Sequence, residues 1–252
     1  MSSTQRFLKV RACVYTEPGK LGDFNYMSNP DKFKAAGRCC FIYNGNVVDE
    51  YEIDKNTLPH KGAGTACVRP ESLAHQPHQP GKSCSFGIST GWTTRNGGFK
   101  GLSQLVKRSI DFEFEHLYNY LCSSPKVEFV VFSAERISEH VEEDKRKQFR
   151  LGCNVFDVPL KILDYITHKI NELENIDFND ASVTSDFRSY QEIRRDQSIC
   201  YEHAKVHYDM GLEIIKLKKT IDEMKAKHKK TLPISSSISK GHYQTSLFFK
   251  NK

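Results

Sequence analysis

Two short tracts of this chain combine residues able to hold a small anion. They are Gly62-Ala63-Gly64-Thr65, followed by Arg69, and Ser89-Thr90-Gly91-Trp92, followed by Phe99. Small residues let the main chain approach a ligand closely, and successive amides in a turn form a concavity that attracts negative charge. Arg69 can add a bidentate, charge-assisted contact to a phosphate, although it also reads as a surface arginine. Trp92, the single tryptophan, and Phe99 can stack on a base or close a pocket, although buried aromatic rings more often belong to a core.

Groups for proton transfer lie just upstream. Asn46 ends an apolar run, and Asp49, Glu50, Asp54 and His60 separate it from the first glycine tract. A carboxylate or imidazole there can activate a water against a bound ligand, and each also reads as a solvated loop residue. Cys67, His75, His78 and Cys84 supply the two sulfur and two nitrogen donors that zinc accepts. Neither cysteine belongs to a C-x-x-C knuckle, and "HQPHQPGK" is a proline-rich loop, so the site reading carries no metal and no cofactor. The G-x-S-x-G, H-E-x-x-H and G-x-x-x-x-G-K-[ST] patterns are absent, which removes the usual signatures of serine hydrolases, zincins and P-loop NTPases.

The elements that must position these tracts follow from periodicity. "FLKVRACVY" at 7–15 alternates, with Leu8, Val10, Ala12 and Val14 on one face. "CCFIYNGNVV" at 39–48 is continuously apolar, as suits a strand covered on both faces; its Asn-Gly pair alternatively closes a hairpin with "NVVDEYEI" as the return strand. Cys84–Ile88 reads as a strand and residues 89–101 as a glycine-bearing loop. Ser103 caps a helix that begins near Gln104 and buries Leu105, Val106, Ile110, Phe114, Leu117 and Leu121. "KVEFVVF" at 126–132 supplies the next strand. Strand, loop, helix, strand is the grammar of a mainly parallel sheet, whose ligands lie beyond the carboxyl ends of the strands. Residues 134–150 are charged and read as a solvated helix or lid, "CNVFDV" as an edge strand, and "LKILDYITHKINEL" as an amphipathic helix through Leu160, Ile162, Leu163, Ile166 and Ile170.

This pattern predicts an α/β domain over residues 1–174, a linker over 175–187, a long basic helix over 188–230 and a flexible tail over 231–252. In the helix, Met210, Ile214, Leu217, Ile221 and Met224 alternate by four and three, the spacing of a coiled-coil seam; upstream the seam degrades into Cys200, His203 and His207. The net charge of +6 belongs entirely to residues 181–252, since residues 1–180 carry 23 Lys/Arg against 23 Asp/Glu. Contact with a protein partner or polyanion is therefore expected from the helix, not from the body. Several of the eight cysteines fall in apolar runs, no secretory h-region opens the chain, and no run is long enough for a membrane helix. The chain reads as a soluble intracellular protein, cytoplasmic or nuclear, with no membrane contact.

The order "CCFIYNGN", "GAGTACVR", "FGISTGW", helix 103–121 and "VEFVVF" resembles the macrodomain superfamily, whose members bind ADP-ribose. The resemblance spans roughly residues 38–170 and rests on Ile88-Ser89-Thr90-Gly91 plus the order of three weaker motifs. It implies a three-layer α/β/α fold with a mixed, mainly parallel central sheet. It also implies that Asn46 faces the distal ribose and that Gly62, Ala63, Gly64, Thr65 and Ser89, Thr90, Gly91, Trp92 hold the diphosphate. Asp23 is the candidate for the family's adenine-contacting aspartate. Against the family pattern, the first glycine run is shorter and is followed by "TACVRP", and an extra "RNGG" lengthens the second loop. The expected function is recognition of an ADP-ribose-type nucleotide, extended to its hydrolysis or removal from protein if Asn46, Asp49 and His60 are catalytic. The alternative is a non-enzymatic adaptor acting through the basic helix, with nucleic-acid binding as a further option.

Overall fold

Residues 4–14, 24–27, 29–48, 51, 84–93, 97–137, 149–152 and 157–231 are described by the computed structural model. The central strand is the continuously apolar run. In β2 (Cys39–Gly45), Cys39, Cys40, Phe41, Ile42 and Tyr43 are all at most 1% exposed, so both faces are covered. A parallel strand buried this way needs no polar alternation, and each large side chain so buried contributes about 1.5–3 kcal/mol.

The other strands are β1 (Lys9–Val14), β3 (Cys84–Ser89), β4 (Phe129–Arg136) and β5 (Phe149–Leu151). The order is β1-β4-β2-β3, all parallel, with β5 antiparallel to β4. This is an α/β architecture with a mixed, mainly parallel sheet. β4 enters between β1 and β2, pairing Cys39 with Phe129 through Ile42 with Phe132. Past Phe132, β5 takes up the pairing of β4 from Ala134 to Arg136, and the Asn44 amide donates to Gly152 O at 2.6 Å. The antiparallel strand is therefore Phe149–Leu151 and not the "CNVFDV" segment expected for that role, of which residues 153–156 lie outside the described residues. Residues 138–148, most of the expected charged helix or lid, lie outside them as well. Among the described residues that follow β2 no hairpin return strand forms, since Val47, Val48 and Tyr51 are helical.

Strand alternation divides the core. Val10, Cys40, Ile42, Phe86, Ile88, Val130 and Phe132 share one cluster with the helices α2 (Gln104–Ser123) and α3 (Leu160–Glu172). Cys13, Cys39, Phe41, Tyr43 and Val131 form a second, covered by Met27 of the short α1 (Phe24–Met27) and by Phe33. Ser103 caps α2 as its sequence predicts, its hydroxyl accepting from Val106 N at 3.2 Å. The far end of α2 is held by Arg6, whose guanidinium donates to Leu121 O, Ser124 O and Val127 O at 2.8–3.0 Å. A cation at helix-terminal carbonyls satisfies acceptors that the helix itself leaves open.

The chain divides into two compact units, Met1–Gly211 and Leu212–Lys252. Within the first, the segment of linker composition is packed: Phe178 is 4% exposed, the Arg6 amide donates to Asp177, and Asp180 caps the short α4 (Ala181–Thr184). The long helix α5 (Tyr190–Thr231) contributes Ile193, Gln197, Cys200, Tyr201 and Ala204 to this unit as buried residues. Their spacing of three and four is a helical stripe facing a core. In the second unit, the helical residues 214–228 are exposed on every face. Among the described residues no helix is long and apolar enough to cross a membrane.

Candidate functional site

Parallel pairing of β2 with β3, from Cys40↔Cys84 to Gly45↔Ser89, brings the two strands to the same edge in step. The segments that follow are then tied together by main-chain bonds. Thr90 N donates to Gly45 O at 3.1 Å, Val47 N to Gly91 O at 3.0 Å, and Val48 N to Trp92 O at 3.2 Å. Asn46 lies within this ladder and is 3% exposed. Of the residues singled out by sequence, the structure thus unites Asn46 with Ser89, Thr90, Gly91 and Trp92. Phe99 joins them through its amide, which donates to Thr90 O at 2.8 Å.

Beyond Ser89, Gly91 is bridged to Gly98 in antiparallel fashion. A Cβ on Gly91 would lie 2.6 Å from the Gly97 carbonyl oxygen, so glycine is required here by the loop's own backbone. Gly97 has φ +71°, a left-handed conformation that favours glycine.

Beneath the loop, Glu113 of α2 receives both the Ser89 amide, at 2.6 Å, and the Ser89 hydroxyl. Glu113 and Ser89 are 1% and 0% exposed. The amides of Ser89 and Thr90 are therefore engaged within the protein, and the Ser89 hydroxyl faces a carboxylate in the interior. This pair sets the loop's shape; it does not present a nucleophile. Cys200 of α5 packs nearby, its thiol pushed up to about 11 by burial and then by the Glu113 charge, so it remains a buried thiol. His116 Nε2 and Gln197 Oε1 meet at 3.1 Å in the same interior.

Trp92 is half-buried in an aromatic group. Its ring meets Phe99 edge-on at 4.8 Å and His203 edge-on at 4.7 Å, and lies parallel to His207 at 6.3 Å. Phe99 is fully buried, consistent with a core ring. Burial, followed by the neighbouring His207, lowers the His203 pKa, so the neutral imidazole is favoured against the indole. Alongside, Tyr51 stacks on Tyr201 at 4.1 Å and carries the Arg194 guanidinium 3.8 Å above its ring centre; Arg194 also donates to Tyr51 O at 2.8 Å.

No protein-family model, curated protein or solved structure matches this chain.

Asp49, His60, Gly62, Ala63, Gly64, Thr65 and Arg69 lie outside the described residues, as do Glu50, Asp54, Asp23 and the candidate zinc ligands Cys67, His75 and His78. Cys84 opens β3. Among the described residues no group of three or more His, Cys, Asp or Glu side chains could hold a metal.

Glu113, His116, Gln197, His203 and His207 were not anticipated at this site. Glu113 had a visible signal: it falls at the i+3 and i+7 positions from Ile110 and Val106, on the face that α2 buries. Likewise, the polar lapse in the seam at Cys200, His203 and His207 falls where α5 packs on the body.

Proposed function

We propose that the α/β body recognises an ADP-ribose-type nucleotide at the carboxyl edge of β2 and β3. One observation carries this reading: the hydrogen bonds Thr90 N to Gly45 O and Val47 N to Gly91 O unite the Asn46 segment with the Ile88-Ser89-Thr90-Gly91 tract at one end of a parallel sheet. That edge is where α/β sheets bind ligands, and the resemblance to macrodomains assigns these two tracts to ribose and diphosphate. Because Ser89 and Thr90 spend their amides internally, this loop's ligand contacts fall to the stretch that begins at Gly91. In this reading the first glycine tract, Gly62-Ala63-Gly64-Thr65 with Arg69, provides the other side of the diphosphate grip. Hydrolysis would add Asp49 or His60 as the base acting on water.

Thermal unfolding of the full chain with and without ADP-ribose tests the proposal. A ligand at about 100 times its Kd adds about 2.7 kcal/mol to the native state, a readily measured rise in Tm. AMP and ribose 5-phosphate should give smaller rises, since each lacks half of the contacts. No rise at millimolar ADP-ribose, with the cooperative transition intact, would sink the proposal. Mass detection of a cleaved product then separates binding from turnover.

A further inference from the structure

Residues of the second unit offer an interaction surface whose chemistry names its partner. Ile214, Leu217, Ile221 and Met224 are 48%, 59%, 49% and 65% exposed, and they recur at three and four residues along α5. In heptad terms Ile214 and Ile221 take position a, and Leu217 and Met224 take position d. A β-branched residue at a with leucine at d is the combination that favours two parallel strands over three or four. The flanking residues agree. Glu213 takes position g and Lys218 the following e, the two positions that face each other across a parallel pair. An antiparallel pairing would instead set Lys218 against Lys225 of the second chain, like charge against like.

We infer that residues 213–224 form a parallel, two-stranded coiled coil with a second copy of this chain, its seam Ile214, Leu217, Ile221 and Met224 and its register set by Glu213 of each chain against Lys218 of the other. Glu213 is free to make that contact: its present partner, Lys216 at 3.2 Å, is a surface pair with side chains about 70% exposed, and such a pair holds weakly. Lys216 and Lys219 occupy positions c and f, on the flank away from the seam. Their repulsion across the pair is largely screened at the roughly 8 Å Debye length of physiological salt. A seam of two heptads is short, so the association is concentration-dependent.

Sedimentation equilibrium of the full chain, from about 1 µM to about 200 µM in physiological salt, should show the average mass rising from one chain toward two. Ile221→Asp should abolish the rise without loss of helix by circular dichroism, since the side chain it replaces is exposed. Lys218→Glu alone and Glu213→Lys alone each replace two attractive contacts by two repulsive ones, which weakens self-association by roughly 4- to 30-fold. Mixed one to one, these two variants should pair with each other and recover wild-type association, because each then meets its opposite charge. A chain that stays single over the whole range overturns the inference. So does an Ile221→Asp chain that associates as before, or a mixture that associates no better than its components.

Discussion

Ser89 and Glu113, 24 residues apart in sequence, form a fully interior pair in which both the amide and the hydroxyl of the serine donate to the carboxylate. The pair fastens the loop after β3 to the first half of α2, so the geometry of the carboxyl edge depends on it. Glu113→Ala leaves a buried amide and hydroxyl without their acceptor, which costs about 1–3 kcal/mol for a neutral donor and more when a charged partner is removed. Urea unfolding should show a loss of at least about 2 kcal/mol; a change within about 0.5 kcal/mol would mean the carboxylate does not hold the loop.

Gly91 and Gly101 make a matched comparison. A Cβ at 91 would meet the Gly97 carbonyl at 2.6 Å, whereas at 101 nothing lies within 4 Å. Gly91→Ala must displace a backbone segment, at a cost of about 1–3 kcal/mol. Gly101→Ala should stay within about 0.5 kcal/mol of wild type. Equal midpoints for the two variants in denaturant would contradict the packing of the loop. For the same reason, loss of ligand binding in a bulky Gly91 variant would report on folding as much as on recognition.

One pH-dependent contribution comes from His203. Its pKa is lowered in the folded state by burial and by His207, so the unfolded chain takes up the proton first as pH falls. The contribution of the neutral ring is therefore complete above the unfolded value near 6.5 and is lost as pH falls below it toward the lower folded value. Trp92, the sole tryptophan, lies against this ring and reports on it. Its emission should change between about pH 7 and pH 5, and His203→Gln should remove most of that change. An identical titration in the variant would rule out His203 as its source.

The extent of the first unit can be tested by truncation. Phe178, Ile193, Cys200, Tyr201 and Ala204 are at most 6% exposed, and all follow residue 174. Burying a residue such as Phe178 or Ile193 contributes about 1.5–3 kcal/mol, against a whole-domain stability of about 5–15 kcal/mol. A chain ending at residue 174 should lose cooperative unfolding, while one ending at Gly211 should keep the midpoint of the full chain. A cooperative transition at the full-length midpoint in the shorter chain would refute this assignment.

Much of the framework was legible along the chain because it depends on local periodicity and capping. The run Cys39–Tyr43 has no polar alternation and is buried on both faces. The Ser103 cap and the spacing of Val106, Ile110, Phe114, Leu117 and Leu121 fix where α2 starts and which face it buries. Local patterning nevertheless misjudges single positions: Leu160 fits the apolar pattern of α3 but is 57% exposed, at the helix's first turn. Of the candidate site, the tracts at Asn46 and Ser89–Trp92 could be named from residue types alone, but not the main-chain bonds that join them.

By itself, the sequence determined the element types and the order of strand, loop, helix and strand, since hydrophobic spacing and turn residues act within a few positions of one another. Only the tertiary structure decided that β4 lies between β1 and β2, that Glu113 is an interior anchor for Ser89, and that residues 175–211 belong to the compact unit. Those choices depend on which distant surfaces bury each other and which polar groups then find a partner, and spacing along the chain does not encode either.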